Sequence, residues 1–75
     1  MVKVEVRLFA TFREGREKKQ FMELKEGTNL SQIIDTLNIN KEEVSIALIN
    51  GIDGPLDREV ADGDIVALFP PVGGG

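Results

Sequence analysis

The stretch Ile65-Val66-Ala67-Leu68-Phe69, close to the end of the chain, sets the architecture. Five consecutive apolar residues, several of them β-branched or aromatic, are typical of a β-strand. A strand that is apolar on both faces is either covered on both sides at the centre of a sheet or exposes one face to a partner. The turn-forming sequence Asp62-Gly63-Asp64 comes directly before it, so the strand is predicted to begin at Ile65.

A second strand is predicted at the start of the chain, where apolar and charged residues alternate. This period of two places one row of side chains on the inward face of a sheet. A solvent-exposed loop is predicted over residues 10–18, and a further strand over residues 19–24 that forms a hairpin with the first. The inward row consists of Val2, Val4, Val6 and Leu8.

One helix is predicted in the middle of the chain, because apolar residues recur there at the spacing i, i+3, i+4, i+7. Thr28 or Asn29 is the expected N-cap, with Gln32 three residues after Asn29 in capping-box position. The helix is expected to end at Asn38 or Asn40. Its apolar stripe consists of Leu30, Ile33, Ile34 and Leu37.

Two more strands are predicted after the helix. The apolar run at residues 46–49 stops at Asn50-Gly51, a strong hairpin-turn signal. A second turn is predicted at residues 53–55, and a short edge strand at residues 56–60.

The predicted fold class is α+β, with the β-grasp arrangement. A single helix covers one face of a mixed sheet, and the first and last strands lie adjacent and parallel in its centre. Residues 1–69 are predicted to form this domain, and residues 70–75 a flexible C-terminal tail. If the alternating valines face the helix, the opposite face carries an apolar patch, predicted to dock a partner and formed by Phe9, Ile65, Ala67 and Phe69.

The composition limits the possible functions. A chain of 75 residues makes one small domain. It contains neither cysteine nor histidine, which excludes disulfides, thiolate metal sites, a thiol nucleophile and the commonest general base. A net charge of −4 argues against nucleic acid or an anionic membrane as partner. There is no apolar stretch of membrane-spanning length and no signal-peptide pattern, so a cytoplasmic location is expected.

No motif within the domain predicts catalysis. Phosphate-binding glycine loops of the GxGxxG or GK[ST] type are absent. Carboxylate pairs such as Glu42 and Glu43 are interpreted as solvated side chains, and Asp62-Gly63-Asp64 lacks the spacing of a calcium loop. We therefore expect no catalytic residue, no metal and no cofactor bound by the chain itself.

The last six residues offer a different chemistry. A carboxylate at Gly75 can act as a nucleophile toward an activated phosphate if another protein supplies the nucleotide and metal. Glycines lack a Cβ and can thread a narrow channel, while two prolines hold the tail extended. From the glycines alone, a frayed and inert terminus is an equally good interpretation. The residues predicted to thread a partner's active site are Pro70, Pro71, Val72, Gly73 and Gly74, with Gly75 as the reactive terminus.

Two motifs resemble those of a known family. FATFRE at residues 9–14 resembles the motif that follows the first strand in small subunits of molybdopterin synthase, and DGDIVALFPPVGGG at residues 62–75 resembles their C-terminal signature. The residue before the final Gly-Gly in that family is most often alanine, so Gly73 is a mild departure. Over nearly its whole length the chain is similar to the MoaD/ThiS family of ubiquitin-like sulfur carriers.

The resemblance implies a role as the noncatalytic small subunit of molybdopterin synthase. An E1-like adenylating enzyme would activate Gly75 with ATP, and a sulfur donor protein would supply the sulfur of a thiocarboxylate. The carrier would then dock on the large synthase subunit and deliver this sulfur to a pterin precursor. A thiamine-pathway carrier generally lacks the Phe-Pro-Pro-Val lead-in, whereas ubiquitin-like modifiers joined to lysines share the tail. An inert-tailed interaction module is the remaining alternative.

Overall fold

The computed structural model describes residues 1–13 and 15–71. The strands form a five-stranded sheet in the order β2-β1-β5-β3-β4, in which β1 and β5 are parallel and the other neighbours antiparallel. One α-helix packs on this sheet, which confirms the predicted α+β class and β-grasp arrangement. The elements are β1 (Val2–Leu8), a 3-10 helix (Ala10–Arg13), β2 (Lys19–Leu24), α1 (Leu30–Thr36), a second 3-10 helix (Lys41–Glu43), β3 (Ile46–Ile49), β4 (Ile52–Asp53) and β5 (Ile65–Phe69).

The hydrophobic core lies between the sheet and α1. The two central strands bury alternate side chains, as the period of two requires. Because successive side chains point to opposite faces, burial of this row places the intervening residues on the face of the sheet away from α1. The fully buried side chains at the centre of the core are Val4, Val6, Leu8, Leu30, Ile33, Ile34, Val66 and Leu68.

The N-terminus of α1 has partners for its first backbone N–H groups, which no intrahelical carbonyl can reach. Asn29 Oδ1 accepts from the N–H of Gln32 at 2.9 Å, and the Gln32 side chain accepts from the N–H of Asn29. This is a capping box, and it identifies Asn29 as the N-cap. The N–H of Leu30 donates to the carbonyl of Arg58 at 3.1 Å, and that of Ser31 to the carbonyl of Leu56 at 2.9 Å.

The prediction of an edge strand at residues 56–60 is wrong. The backbone of this segment bonds to the start of α1 and makes only an isolated bridge at Glu59, so it does not join the ladder of the sheet. The edge strand is instead β4, which begins directly after Asn50-Gly51. Both turn residues have positive φ, 52° and 83°, the combination of a tight hairpin turn that sends the chain straight back along β3.

The C-terminus of α1 closes at Asn38, one of the two positions predicted. Asn38 has a φ of 61°, and the N–H of Ile39 donates to the carbonyl of Ile34 at 3.1 Å. This left-handed residue and backward hydrogen bond form a Schellman-type C-cap.

Nothing among the helices of the described ranges is long and apolar enough to cross a membrane.

The loop predicted over residues 10–18 contains a 3-10 helix at its start. Its Phe12 side chain is buried, 3% exposed, and belongs to the core. The tight turn of the 3-10 helix directs this side chain into the core. The charged residues on either side had led to the prediction that the whole segment is exposed to solvent. Arg16 then donates to the carbonyls of Leu37 and Asn38, which ties the loop to the end of α1.

Candidate functional site

The candidate site begins where β1 and β5 end side by side. Leu8 and Leu68 are register partners in the parallel pair, so the next residues, Phe9 and Phe69, also lie beside each other. Their rings stack with centroids 4.3 Å apart and planes inclined by 10°. Pro70 follows Phe69 directly, and the aromatic pair therefore marks the root of the C-terminal segment.

An apolar strip extends from this aromatic pair along the face of the sheet away from α1. Ile65 is 36% exposed, and Ala67 and Phe69 are partly buried. The register pairs β3 residues with these positions and adds two side chains that sequence reasoning missed. We call the following residues the apolar strip: Phe9, Ile46, Leu48, Ile65, Ala67 and Phe69.

Ile46 and Leu48 were missed because the run at residues 46–49 is apolar throughout. Such a run gives no alternation from which to assign faces. The register resolves it: Ile46 lies opposite Phe69 and Leu48 opposite Ala67, while Ala47 faces the core. Ile46 is 43% exposed, a high value for a large aliphatic side chain on a strand.

The structure brings the four residues predicted for partner docking together on one surface. Phe9, Ile65, Ala67 and Phe69 all belong to the apolar strip, and their docking role stays a prediction. Of the predicted tail, Pro70 is partly buried and Pro71 is exposed. The remaining predicted site residues, Val72, Gly73, Gly74 and Gly75, lie outside the described residues.

A basic pocket adjoins the strip at its tail end. The Arg13 guanidinium lies over the Phe9 ring, 5.2 Å from its centroid, and its Nε donates to the carbonyl of Leu8 at 2.8 Å. Arg7 and Lys19 are register partners on the same face of the sheet as the strip. The pocket has a volume of about 250 Å³, and it is lined by Arg7, Phe9, Arg13, Lys18 and Lys19.

An acidic depression lies at the opposite end of β1 and β5. Its volume is about 390 Å³. Asp62 accepts from the N–H of Lys3 at 2.8 Å, and Asp64 accepts from the N–H of Ala61 at 2.7 Å. The lining residues are Lys3, Glu5, Phe21, Asp62, Gly63, Asp64 and Ile65.

The apolar strip, the basic pocket and the acidic depression share the face of the sheet away from α1. Within residues 1–13 and 15–71, no three acidic side chains converge in a way that would hold a metal ion. Five residues of the apolar strip lie on β3 and β5, and Phe9 directly follows β1. Contiguous apolar surface of this kind marks protein interaction sites. An apolar strip of this kind suits contact with a protein, and it ends beside Pro70.

A mixed five-stranded sheet on one helix, with an apolar strip at the root of the C-terminal segment, defines a ubiquitin-like β-grasp protein. The model of the ThiS family matches residues 6–75. The chain therefore belongs to the ThiS family of ubiquitin-like sulfur carriers, as the two sequence motifs indicated.

Similar solved structures cover nearly the whole chain. A Pyrococcus furiosus protein described as molybdopterin converting factor subunit 1 is 32% identical, with a TM-score of 0.77, and the match covers 96% of this chain and 100% of that one. SAMP1 from Haloferax volcanii, a small archaeal modifier protein, is 26% identical with a TM-score of 0.78, covering 97% and 99%. A complex of subunits 1 and 2 of molybdopterin-converting factor from Helicobacter pylori contains a chain that is 26% identical, with a TM-score of 0.66, covering 99% and 100%.

Proposed function

We propose that this chain is the small, sulfur-carrying subunit of a molybdopterin synthase. In this proposal the carboxylate of Gly75 is adenylated by an E1-like enzyme and converted to a thiocarboxylate with sulfur from a donor protein. The carrier then delivers the sulfur while docked on the large synthase subunit. The domain at residues 1–69 supplies recognition, and residues 70–75 reach into the partner's active site.

The observation that carries this proposal is the position of the stacked pair Phe9 and Phe69 at the root of residues 70–75. A partner that docks on the apolar strip must lie beside the point where the tail departs. At roughly 3.3 Å per extended residue, the six residues from Pro70 can reach about 20 Å. Docking and chemistry can therefore take place at separate positions on the same partner.

Two similarities support the molybdopterin pathway. Proteins named as subunit 1 of a molybdopterin-converting factor are similar to this chain over nearly its full length in two organisms. One of them was solved in complex with a subunit 2, which corresponds to the kind of partner proposed here. The lead-in Phe69-Pro70-Pro71-Val72 also favours this pathway over that of thiamine.

The proposed chemistry needs no catalytic group from the chain itself. The Gly75 carboxylate oxygen attacks the α-phosphate of ATP, and pyrophosphate leaves. A persulfide of the donor protein then attacks the acyl-adenylate carbon, and AMP leaves with the electron pair of the broken C–O bond. A thiol then cleaves the S–S bond to the donor, which releases the thiocarboxylate of Gly75 and leaves a disulfide. Replacement of one carboxyl oxygen by sulfur makes the chain about 16 Da heavier. The adenylating enzyme supplies ATP, metal and electrostatic stabilisation.

Intact-mass spectrometry tests this directly. Incubation with the activating enzyme, ATP and a sulfur donor should add about 16 Da to the full-length chain. A variant without Gly74 and Gly75 should unfold at the same urea concentration and gain no mass. The proposal would be refuted if the mass of the full chain stayed unchanged with an adenylating enzyme that is shown to be active on a known carrier protein. Equal function of the truncated variant would instead favour the inert-tailed interaction module.

A protein-modifier role is the second candidate, supported by the similarity to SAMP1. In that role Gly75 would be joined to lysine side chains of other proteins. Mass spectrometry of tryptic digests from native cells would find the C-terminal peptide in isopeptide linkage. Rescue of a strain that lacks a thiamine sulfur carrier, without rescue of one that lacks the small molybdopterin synthase subunit, would assign the thiamine pathway instead.

A further inference from the structure

The basic pocket contains two lysines whose charged groups have no partner among the described residues. Among residues 1–13 and 15–71, the ammonium groups of Lys18 and Lys19 have neither a carboxylate within salt-bridge distance nor a side-chain hydrogen bond. Arg13 uses its Nε on the carbonyl of Leu8, and Arg7 uses its Nε on Glu5. An arginine has five N–H donors, and within residues 1–13 and 15–71 the terminal nitrogens of both have no hydrogen-bond partner, so they can bind a ligand.

The acidic depression at the other end of the sheet differs in this respect. Asp62 and Asp64 accept backbone N–H groups at 2.7–2.8 Å, and Asp64 also accepts from Asn50 Nδ2 at 2.9 Å. These carboxylates hold the turn before β5 in place. A structural role thus accounts for the acidic end of the surface but not for the lysines at the basic end.

The charge of the pocket is also unusual for this chain. Four of its nine Lys and Arg residues line one pocket, although the net charge is −4. Like charges held around one concavity repel each other, and an anion in that concavity would relieve the repulsion. A pocket of about 250 Å³ is smaller than the range of about 300–1,000 Å³ that is usual for small-molecule sites. The pocket is open to solvent, so carboxylate side chains of a docked protein can reach its cations.

From this geometry we infer that the basic pocket binds an acidic segment of the adenylating partner, so that Asp or Glu side chains enter it as the apolar strip is covered. The inference rests on the proposed function and specifies the partner's surface. The pocket is continuous with the strip through Phe9, which belongs to both. The charge gradient from the basic to the acidic end fixes the partner's orientation, and it speeds encounter when the partner is acidic at the tail side.

Charge reversal tests the inference against a matched control. The test variant is Lys18→Glu with Lys19→Glu; the control is Lys25→Glu with Lys41→Glu, which lie outside the pocket lining. Both variants change the net charge from −4 to about −8, since each substitution changes it by about two charges. The assay is carrier-dependent ATP–pyrophosphate exchange by the E1-like enzyme of the same organism, measured over a range of carrier concentrations. Urea unfolding of both variants controls for folding.

The test variant should raise the half-saturating carrier concentration by about tenfold or more, and the control by less than about threefold. Raising the salt from about 0.05 to 0.3 M should weaken the wild type but not the test variant. Equal effects of the two variants, or none from the test variant, would overturn the inference alone. ATP binding by the isolated chain, lost in the test variant, would also overturn it by assigning the pocket to a nucleotide. No exchange with the wild-type chain would refute the proposed function, and the inference with it.

Discussion

Replacing Phe69 by alanine should separate partner binding from folding. The Phe69 ring stacks on Phe9 at 4.3 Å, and such a pair contributes roughly 0.5–1.5 kcal/mol beyond its buried area. Full burial of a phenylalanine contributes about 1.5–3 kcal/mol, and Phe69 is only partly buried. We therefore expect Phe69→Ala to lower the free energy of unfolding by about 1.5–3 kcal/mol. At roughly 0.05–0.15 kcal/mol per residue, 75 residues give about 4–11 kcal/mol, so most variant molecules stay folded.

The neighbouring residue provides the control. Leu68 is fully buried on the opposite face of β5, and Leu68→Ala should cost about 2–5 kcal/mol because it leaves a cavity in the core. It removes nothing from the apolar strip. Leu68→Ala should therefore lower the free energy of unfolding without weakening partner binding by the folded molecules. Phe69→Ala should weaken partner binding by the folded molecules as well.

Two measurements on each variant distinguish a loss of stability from a loss of partner binding. Urea denaturation gives the free energy of unfolding, and ATP–pyrophosphate exchange with the adenylating enzyme gives the half-saturating carrier concentration. A buried aromatic anchor is worth about 2 kcal/mol or more at an interface, so Phe69→Ala should raise that concentration about 30-fold. Wild-type exchange with Phe69→Ala, or an equal rise with Leu68→Ala after correction for unfolded protein, would refute the docking role of the strip.

Substitutions at three further positions test how the fold holds this surface. Arg58→Ala should lower the free energy of urea unfolding by roughly 1.5–4 kcal/mol, because Arg58 donates to the carbonyls of Ala47, Ile52 and Pro55 at 2.9–3.0 Å. Arg58→Lys should recover only part of the lost stability. Full recovery with lysine would contradict this. Asn29→Ala should cost about 1 kcal/mol through loss of the capping box, and an unchanged thermal midpoint would contradict that role. Gly63→Ala should cost about 1 kcal/mol in urea because its φ is 86°, and increased stability would argue against the turn geometry.

The sequence was sufficient for the parts of the fold that local rules govern. Alternation along residues 2–8 assigned the faces of β1. Apolar periodicity with a capping-box pattern located the start of α1 at Thr28 or Asn29. The Asn50-Gly51 turn was also recognisable, because few other residue pairs accept positive φ at both positions. From these elements the central parallel pair followed, and with it the placement of Phe9 and Phe69 on one face of the sheet.

The remainder depended on tertiary partners that no local pattern reveals. Residues 56–60 have a composition compatible with a strand, but their backbone carbonyls satisfy the N–H groups of α1. Phe12 is buried because a short 3-10 helix turns it inward. Ile46 and Leu48 joined the apolar strip only through their register with β5, and the basic pocket draws residues from β1, from β2 and from the segments beside them.

The most direct test is the intact mass of this protein isolated from its native cells. If it is a sulfur carrier, a fraction of the molecules should be about 16 Da heavier than the carboxylate form, and fragmentation should place the added mass on Gly75. Treatment with an alkylating reagent should modify only this heavier fraction. If every molecule carries an ordinary carboxylate, even in cells that are making molybdenum cofactor, the carrier role would be contradicted.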